Sequence, residues 1–129
     1  MIYKIETTIT KSVIENELVE KAKISGFGVL HRYDFKEILA KKGFPIERDI
    51  TVFEFCNPAG AQQSLTATPE ISVYLPCRLS VYEENGKTVL ATIGFEDILG
   101  TVDVDKTFKH LMNELFENLK HLMNSWNNK

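Results

Sequence analysis

The sequence predicts an α+β fold, a mainly antiparallel sheet with helices packed on one face, the last of them a long C-terminal helix. Three observations carry this. Short runs of alternating, β-branched and aromatic residues recur between Tyr3 and Ile93. Two of these runs flank Asn85-Gly86, a pair that favours the tight hairpin turn with positive φ at both central positions. Beyond Asp103 the apolar residues change to helical spacing and keep it as far as Trp126. The expected order is a β-α-β-β-β-β-α core with short helical insertions, and residues 1–129 read as one domain.

Each element has a local reason. Tyr3, Ile5, Thr7 and Ile9 alternate with Lys4, Glu6 and Thr8, so the chain opens on a half-buried strand. Ser12-Val13-Ile14-Glu15 has capping-box spacing and should start a helix that buries Ile14, Leu18 and Ala22 and ends at Gly26. Phe27 to Tyr33 reads as a second strand, after which Asp34 can cap a short helix through Leu39, stopped by Lys42-Gly43. Thr51 to Cys56 is rich in strand-forming residues. Asn57 then suits an N-cap and Pro58 a first helical position, which predicts a short helix over Ala59–Leu65. Leu75-Pro76 forces extended backbone before a strand from Cys77 to Glu83, and Thr88–Ile93 is its hairpin partner. Asp103 is expected to cap the last helix. Its apolar arc carries Val104, Phe108, Leu111, Met112, Leu115, Leu119, Leu122, Met123 and Trp126.

The stretch Thr51–Glu84 holds both cysteines and three of the four prolines. Its Cys56-Asn57-Pro58-Ala59, followed by Leu75-Pro76-Cys77-Arg78 and Val81-Tyr82-Glu83, resembles the bacterial domain-of-unknown-function family number 302. Gly26-Phe27-Gly28-Val29, Asp34 and Lys42-Gly43 fit the same pattern in order upstream. The resemblance implies a small α+β domain similar to the TATA-binding-protein-like fold and a tendency to form homodimers. It implies no reaction and no catalytic residues.

Composition narrows the function classes. Hydrophobic content of 43% and charged content of 26% are those of an ordinary globular protein. A net charge of −3 argues against a dedicated nucleic-acid binder. No apolar run reaches membrane-spanning length, and the N-terminus lacks a signal-peptide core. Two cysteines without an export signal point to thiols in a reducing cytoplasm.

The candidate site residues are Cys56, Asn57, Cys77, Arg78, Glu54 and Arg32. Cys56 stands just before a helix N-terminus, whose free N–H groups favour a thiolate or bound anion, and Arg78 could add positive charge. Against this, free cysteine is among the most buried residue types. Strand parity puts Phe53 and Phe55 on the core face and Glu54 and Cys56 on the other. It sends Cys77, Leu79 and Val81 inward and Arg78, Ser80 and Tyr82 outward. The two sulfurs then lie on opposite faces and cannot share a metal, unless a β-bulge intervenes. His31 shares parity with Phe27 and Val29, which makes it a structural histidine or a third soft-metal ligand. His110, Glu114, Glu117 and His121 line one stripe of the last helix, where a solvated face is expected.

The outward set is Lys4, Glu6, Arg32, Glu54, Arg78, Ser80, Tyr82, Thr88 and Thr92. It could be plain surface, a polar dimer interface or the floor of an anion site, with Glu54 paired to Arg32 or Arg78 across strands. No phosphate loop, Ser-His-Asp set or HExxH motif is present. The preferred expectation is a cytoplasmic homodimeric or small-ligand-binding domain without established catalysis. It needs no cofactor or metal and binds a small molecule or anion, with no nucleic-acid or membrane partner. The alternative is a thiol-dependent enzyme or a redox- or metal-sensing protein using Cys56, with Asn57, Arg78 and possibly Cys77 in support.

Overall fold

The computed structural model describes residues 1–127. Five strands form one antiparallel sheet in the order β1-β5-β4-β3-β2: β1 Ile2–Thr7, β2 Gly28–Asp34, β3 Ile50–Cys56, β4 Cys77–Glu84 and β5 Lys87–Ile93. The helices are α1 Lys11–Ile24, α2 Phe35–Lys41, α3 Pro58–Ala67, α4 Phe95–Leu99 and α5 Lys106–Asn124. A 3₁₀ turn over Pro69–Val73 links α3 to β4. This turn and α4 are insertions that the sequence pattern does not single out.

Caps decide several boundaries. Asn57 caps α3, its Oδ1 accepting from Gly60 N at 2.7 Å, and Asp34 caps α2 through Glu37 N at 3.3 Å, both as expected. Two caps differ from the sequence reading. Thr10, not Ser12, caps α1 through Val13 N, so the Ser12–Glu15 box lies inside the helix. Asp105, not Asp103, caps α5 through Phe108 N at 2.8 Å. Both shifts place the capping oxygen three residues ahead of the amide it receives, the usual N-cap geometry. At the far end of α1, Phe27 N returns to Ala22 O and Gly26 N to Lys23 O, a Schellman stop.

One hydrophobic core lies between the sheet and the helices. Its sheet side is Ile5, Phe53, Phe55, Leu79, Val81 and Leu90. Its helix side is Ile14, Leu18 and Ala22 of α1 with Phe108, Met112, Leu119, Leu122 and Met123 of α5, and Trp126 just beyond. Phe116, absent from the expected arc, is buried too and stacks on Phe95 with ring centroids 4.9 Å apart. Gly60 lets α3 approach α5: a Cβ there would stand 2.8 Å from Leu115 Cδ1. No residue of α2 joins this core.

The opposite sheet face differs from expectation in two strands, β5 and β2. The turn Asn85-Gly86 has φ of 53° and 77° and sets Glu84 opposite Lys87 and Glu83 opposite Thr88. That register turns Thr88 and Thr92 toward the helices with Leu90, and both are buried rather than outward. The outward residues of β5 are Val89, Ala91 and Ile93. In β2 the pairing slips between Val29, opposite Phe55, and His31, opposite Glu54. This bulge at Leu30 moves His31 from the core face to the open face and Arg32 from the open face to the helix side.

Candidate functional site

The candidate site sits at one end of the sheet, where β3 finishes at Cys56 and β4 begins at Cys77. The chain between them returns through α3, the 3₁₀ turn and a cis peptide bond at Leu75-Pro76. Two cavities flank this return. The larger, of about 430 Å³, is bounded by Tyr74, Leu75 and Pro76, by the open-face residues Val52, Arg78, Ser80, Ala91 and Ile93, and by Ile71, Phe95, Ile98 and Met112 from the core side. It therefore runs from the open face around the sheet end toward the core. The smaller, of about 280 Å³, is bounded by Phe55, Cys56, Asn57, Ala61, Ser64, Cys77 and Leu115, and shares Leu75, Pro76, Cys77, Phe95 and Met112 with the first. Cavities of a few hundred Å³, mainly apolar with a few placed polar groups, are the usual form of small-molecule sites.

Glu54 and Arg78 meet as one of the two expected pairings. They face each other across β3 and β4, and Arg78 Nε donates to Glu54 Oε2 at 3.1 Å. Glu54 is buried although it lies on the open face, with its side chain 8% exposed against 61% for Arg78. Its other oxygen, Oε1, accepts from the Tyr33 hydroxyl at 3.0 Å. That hydrogen bond, followed by burial, raises the Tyr33 phenol above its ordinary value. Sequence parity did not place Tyr33 here, because the Leu30 bulge is what aligns it with Val52 and beside Glu54.

Arg32 does not join them. It donates from Nη2 to Glu15 Oε1 at 2.6 Å on the helix side and lies over the Phe53 ring. There it belongs to a charged cluster at the other end of the sheet. In that cluster the buried Lys11 pairs with Glu15 and reaches Asp49 at 3.3 Å and Thr51 Oγ1 at 2.8 Å.

Asn57 is occupied structurally. Besides capping α3, its Nδ2 donates to Gly26 O at 2.8 Å and so ties the start of α3 to the end of α1. The cysteines are free thiols, both half-buried. Cys77 pairs with Phe55 and shares its face, whereas Cys56 is one residue further along β3, on the other face. Both still line the smaller cavity because it wraps the strand ends. Burial pushes the Cys77 thiol up to about 11. Among the described residues, no three His, Cys, Asp or Glu side chains are grouped to hold a metal ion. His31 is exposed, its ring 6.0 Å from that of Tyr33. His110 pairs with Glu114 at 2.9 Å on the solvent side of α5, where Glu117 and His121 are exposed as well.

These features define an α+β domain with a five-stranded antiparallel sheet and apolar cavities at one sheet end. The profile of the family described as "Domain of unknown function DUF302" matches residues 3–126, and the chain belongs to that family. Among solved structures, the chain is similar to an uncharacterized conserved DUF302 protein from Bacillus stearothermophilus. The two are 26% identical, with a TM-score of 0.88 and 98% of each chain covered. No curated protein matches the chain. Neither the family description nor the similar structure names a reaction or a ligand. No helix among the described residues is long and apolar enough to cross a membrane.

Proposed function

We propose that this chain is a small-ligand-binding domain that works in the cytoplasm as a homodimer and performs no reaction of its own. One observation carries the reading: the cavity of about 430 Å³ that opens on the uncovered sheet face and reaches buried Ile71, Ile98 and Met112. Apolar surface left in such a cleft gains free energy when a ligand covers it. The homodimer is supported by Ile2 and Ile93, paired on the open face and 62% and 45% exposed. A net charge of −3 supports partners other than nucleic acid or an anionic membrane surface.

Native mass spectrometry of freshly purified, reduced protein tests this. The expected result is a dimer whose mass exceeds twice the denatured chain mass by that of a small molecule. A monomer that also takes up no small molecule on incubation with a metabolite extract would sink it.

The second reading is a thiol site, favoured by one observation, that both cysteines line the smaller cavity. Its nucleophile would be Cys56, because a thiol pushed up to about 11, as in Cys77, stays protonated near neutral pH.

A further inference from the structure

The geometry points to the ligand class of the larger cavity: an amphipathic molecule with an apolar body and a single carboxylate, held with that carboxylate at Arg78. This rests on the reading of the cavity as a ligand site and gives it a chemistry. Among the described residues, Arg78 is the one charged side chain in the cavity lining; the remainder is apolar, apart from hydroxyls, the Cys77 thiol and backbone. It stands at the mouth, 61% exposed, while Ile71, Ile98 and Met112 at the inner wall are 0%, 3% and 2% exposed. A molecule matching this gradient is polar at one end and apolar along the rest.

The guanidinium is also aimed. Its Nε is taken by Glu54, which is itself fixed from the other side by the Tyr33 hydroxyl. The two terminal nitrogens of Arg78 make no hydrogen bond among the described residues. A guanidinium anchored through Nε presents those nitrogens as a planar fork, the geometry that receives both oxygens of a carboxylate. Glu54 sets the charge the site accepts. It already offsets much of the positive charge of Arg78, so one further negative charge is accommodated and a dianion is repelled. A cation gains nothing, since both Glu54 oxygens are engaged and the carboxylate is buried. If Glu54 and Arg78 were only a cross-strand ion pair, the cavity would have no preference between ligands of equal apolar length.

Decanoate, decanol and decyltrimethylammonium share one apolar chain and differ in head group. Each is titrated, below its aggregation concentration and at low salt, into isotope-labelled full chain followed by amide chemical shifts. The expected result is saturable shifts at Ser80, Ala91 and Ile98, with decanoate bound about tenfold more tightly than decanol. Arg78→Gln should bring decanoate to the level of decanol or below it, because the Glu54 charge is then unopposed, and leave decanol unchanged. Glu54→Gln/Arg78→Gln, which keeps a neutral pair across the strands, makes the same comparison if the single variant unfolds. Decanol or the ammonium compound binding as tightly as decanoate overturns the carboxylate assignment and leaves the cavity a ligand site. If none of the three shifts these residues, the cavity reading fails and the assignment with it.

Discussion

The two ends of the sheet solve the same problem in opposite ways. At each, the layer between sheet and helices must close against water. At the hairpin end, closure is by charge. Lys11 is buried among Glu15, Asp49 and Thr51, and Arg32 holds Glu15 from its other side. A polar cleft of about 360 Å³ opens beside Lys11, Glu15, Arg32 and Asp49, but every one of these four groups already has a partner, so that end is finished in its charges. At the other end, closure is by apolar side chains that do not meet. Leu75, Pro76, Phe95 and Met112 line two cavities, and the nearest charged pair, Glu54 and Arg78, leaves the Arg78 fork free. A satisfied polar cluster spends its interactions on the fold, whereas unfilled apolar volume beside an oriented cation is left over for a ligand.

The largest effect should come from breaking the finished end. Lys11→Ala leaves Glu15 and Thr51 short of a buried partner and should cost about 3 kcal/mol of stability. Chemical denaturation measures it; a loss within experimental error would mean that the cluster is solvated and that the contrast between the ends is false.

Next in size is a rate at the open end. The Cys77 thiol goes from an ordinary 9.0 to about 11, so near neutral pH its thiolate fraction falls about a hundredfold, tenfold for each of the two units. Iodoacetamide labelling of the native protein, read by peptide mapping, should show Cys77 slower than the unfolded chain by that factor. The sign of the linkage follows. The folded state favours the neutral thiol, so the contribution of Cys77 to stability is complete below pH 9 and declines as pH rises toward 11. The same map tests the thiol reading. If Cys56 labels no faster in the native protein than Cys77, it is not a poised nucleophile.

The smallest effect on stability should come from filling the open end. Ala91 borders the larger cavity and is 9% exposed. Ala91→Leu extends into empty volume instead of displacing packed atoms, and should change stability by less than about 1 kcal/mol. Decanoate binding should weaken by tenfold or more. A variant that binds as before would place the ligand elsewhere.

Much of the fold was legible because it is local. The alternation of β1, the Asn57 and Asp34 caps, the Asn85-Gly86 turn and the 3.6-residue period of α5 are set by a residue and its near neighbours. The facing of Thr88 and Thr92 was legible as well, though read the wrong way. A two-residue turn puts Glu83 opposite Thr88 and Leu79 on the same face as Thr92. Of the site, the pairing of Glu54 with Arg78 was among the readings of strand parity, while Arg32, His31 and Tyr33 were misplaced or missed. All three errors trace to one extra residue at Leu30, for which β2 offers no glycine or proline signal.

By itself, then, the sequence determined the α+β class, the number and order of the main elements, most of the core and the family. Each of these depends on short-range periodicity and turn chemistry, or on motifs spaced along the chain. Only the tertiary structure decided the register of β2 against β3, the occupation of Asn57 by two structural hydrogen bonds and the cavities beside Leu75-Pro76. A cavity is volume left where residues distant in sequence fail to touch. Ile2, Val52, Ile71, Ala91 and Met112 border one only after the sheet and α5 are packed, and no local pattern in any of the five records it.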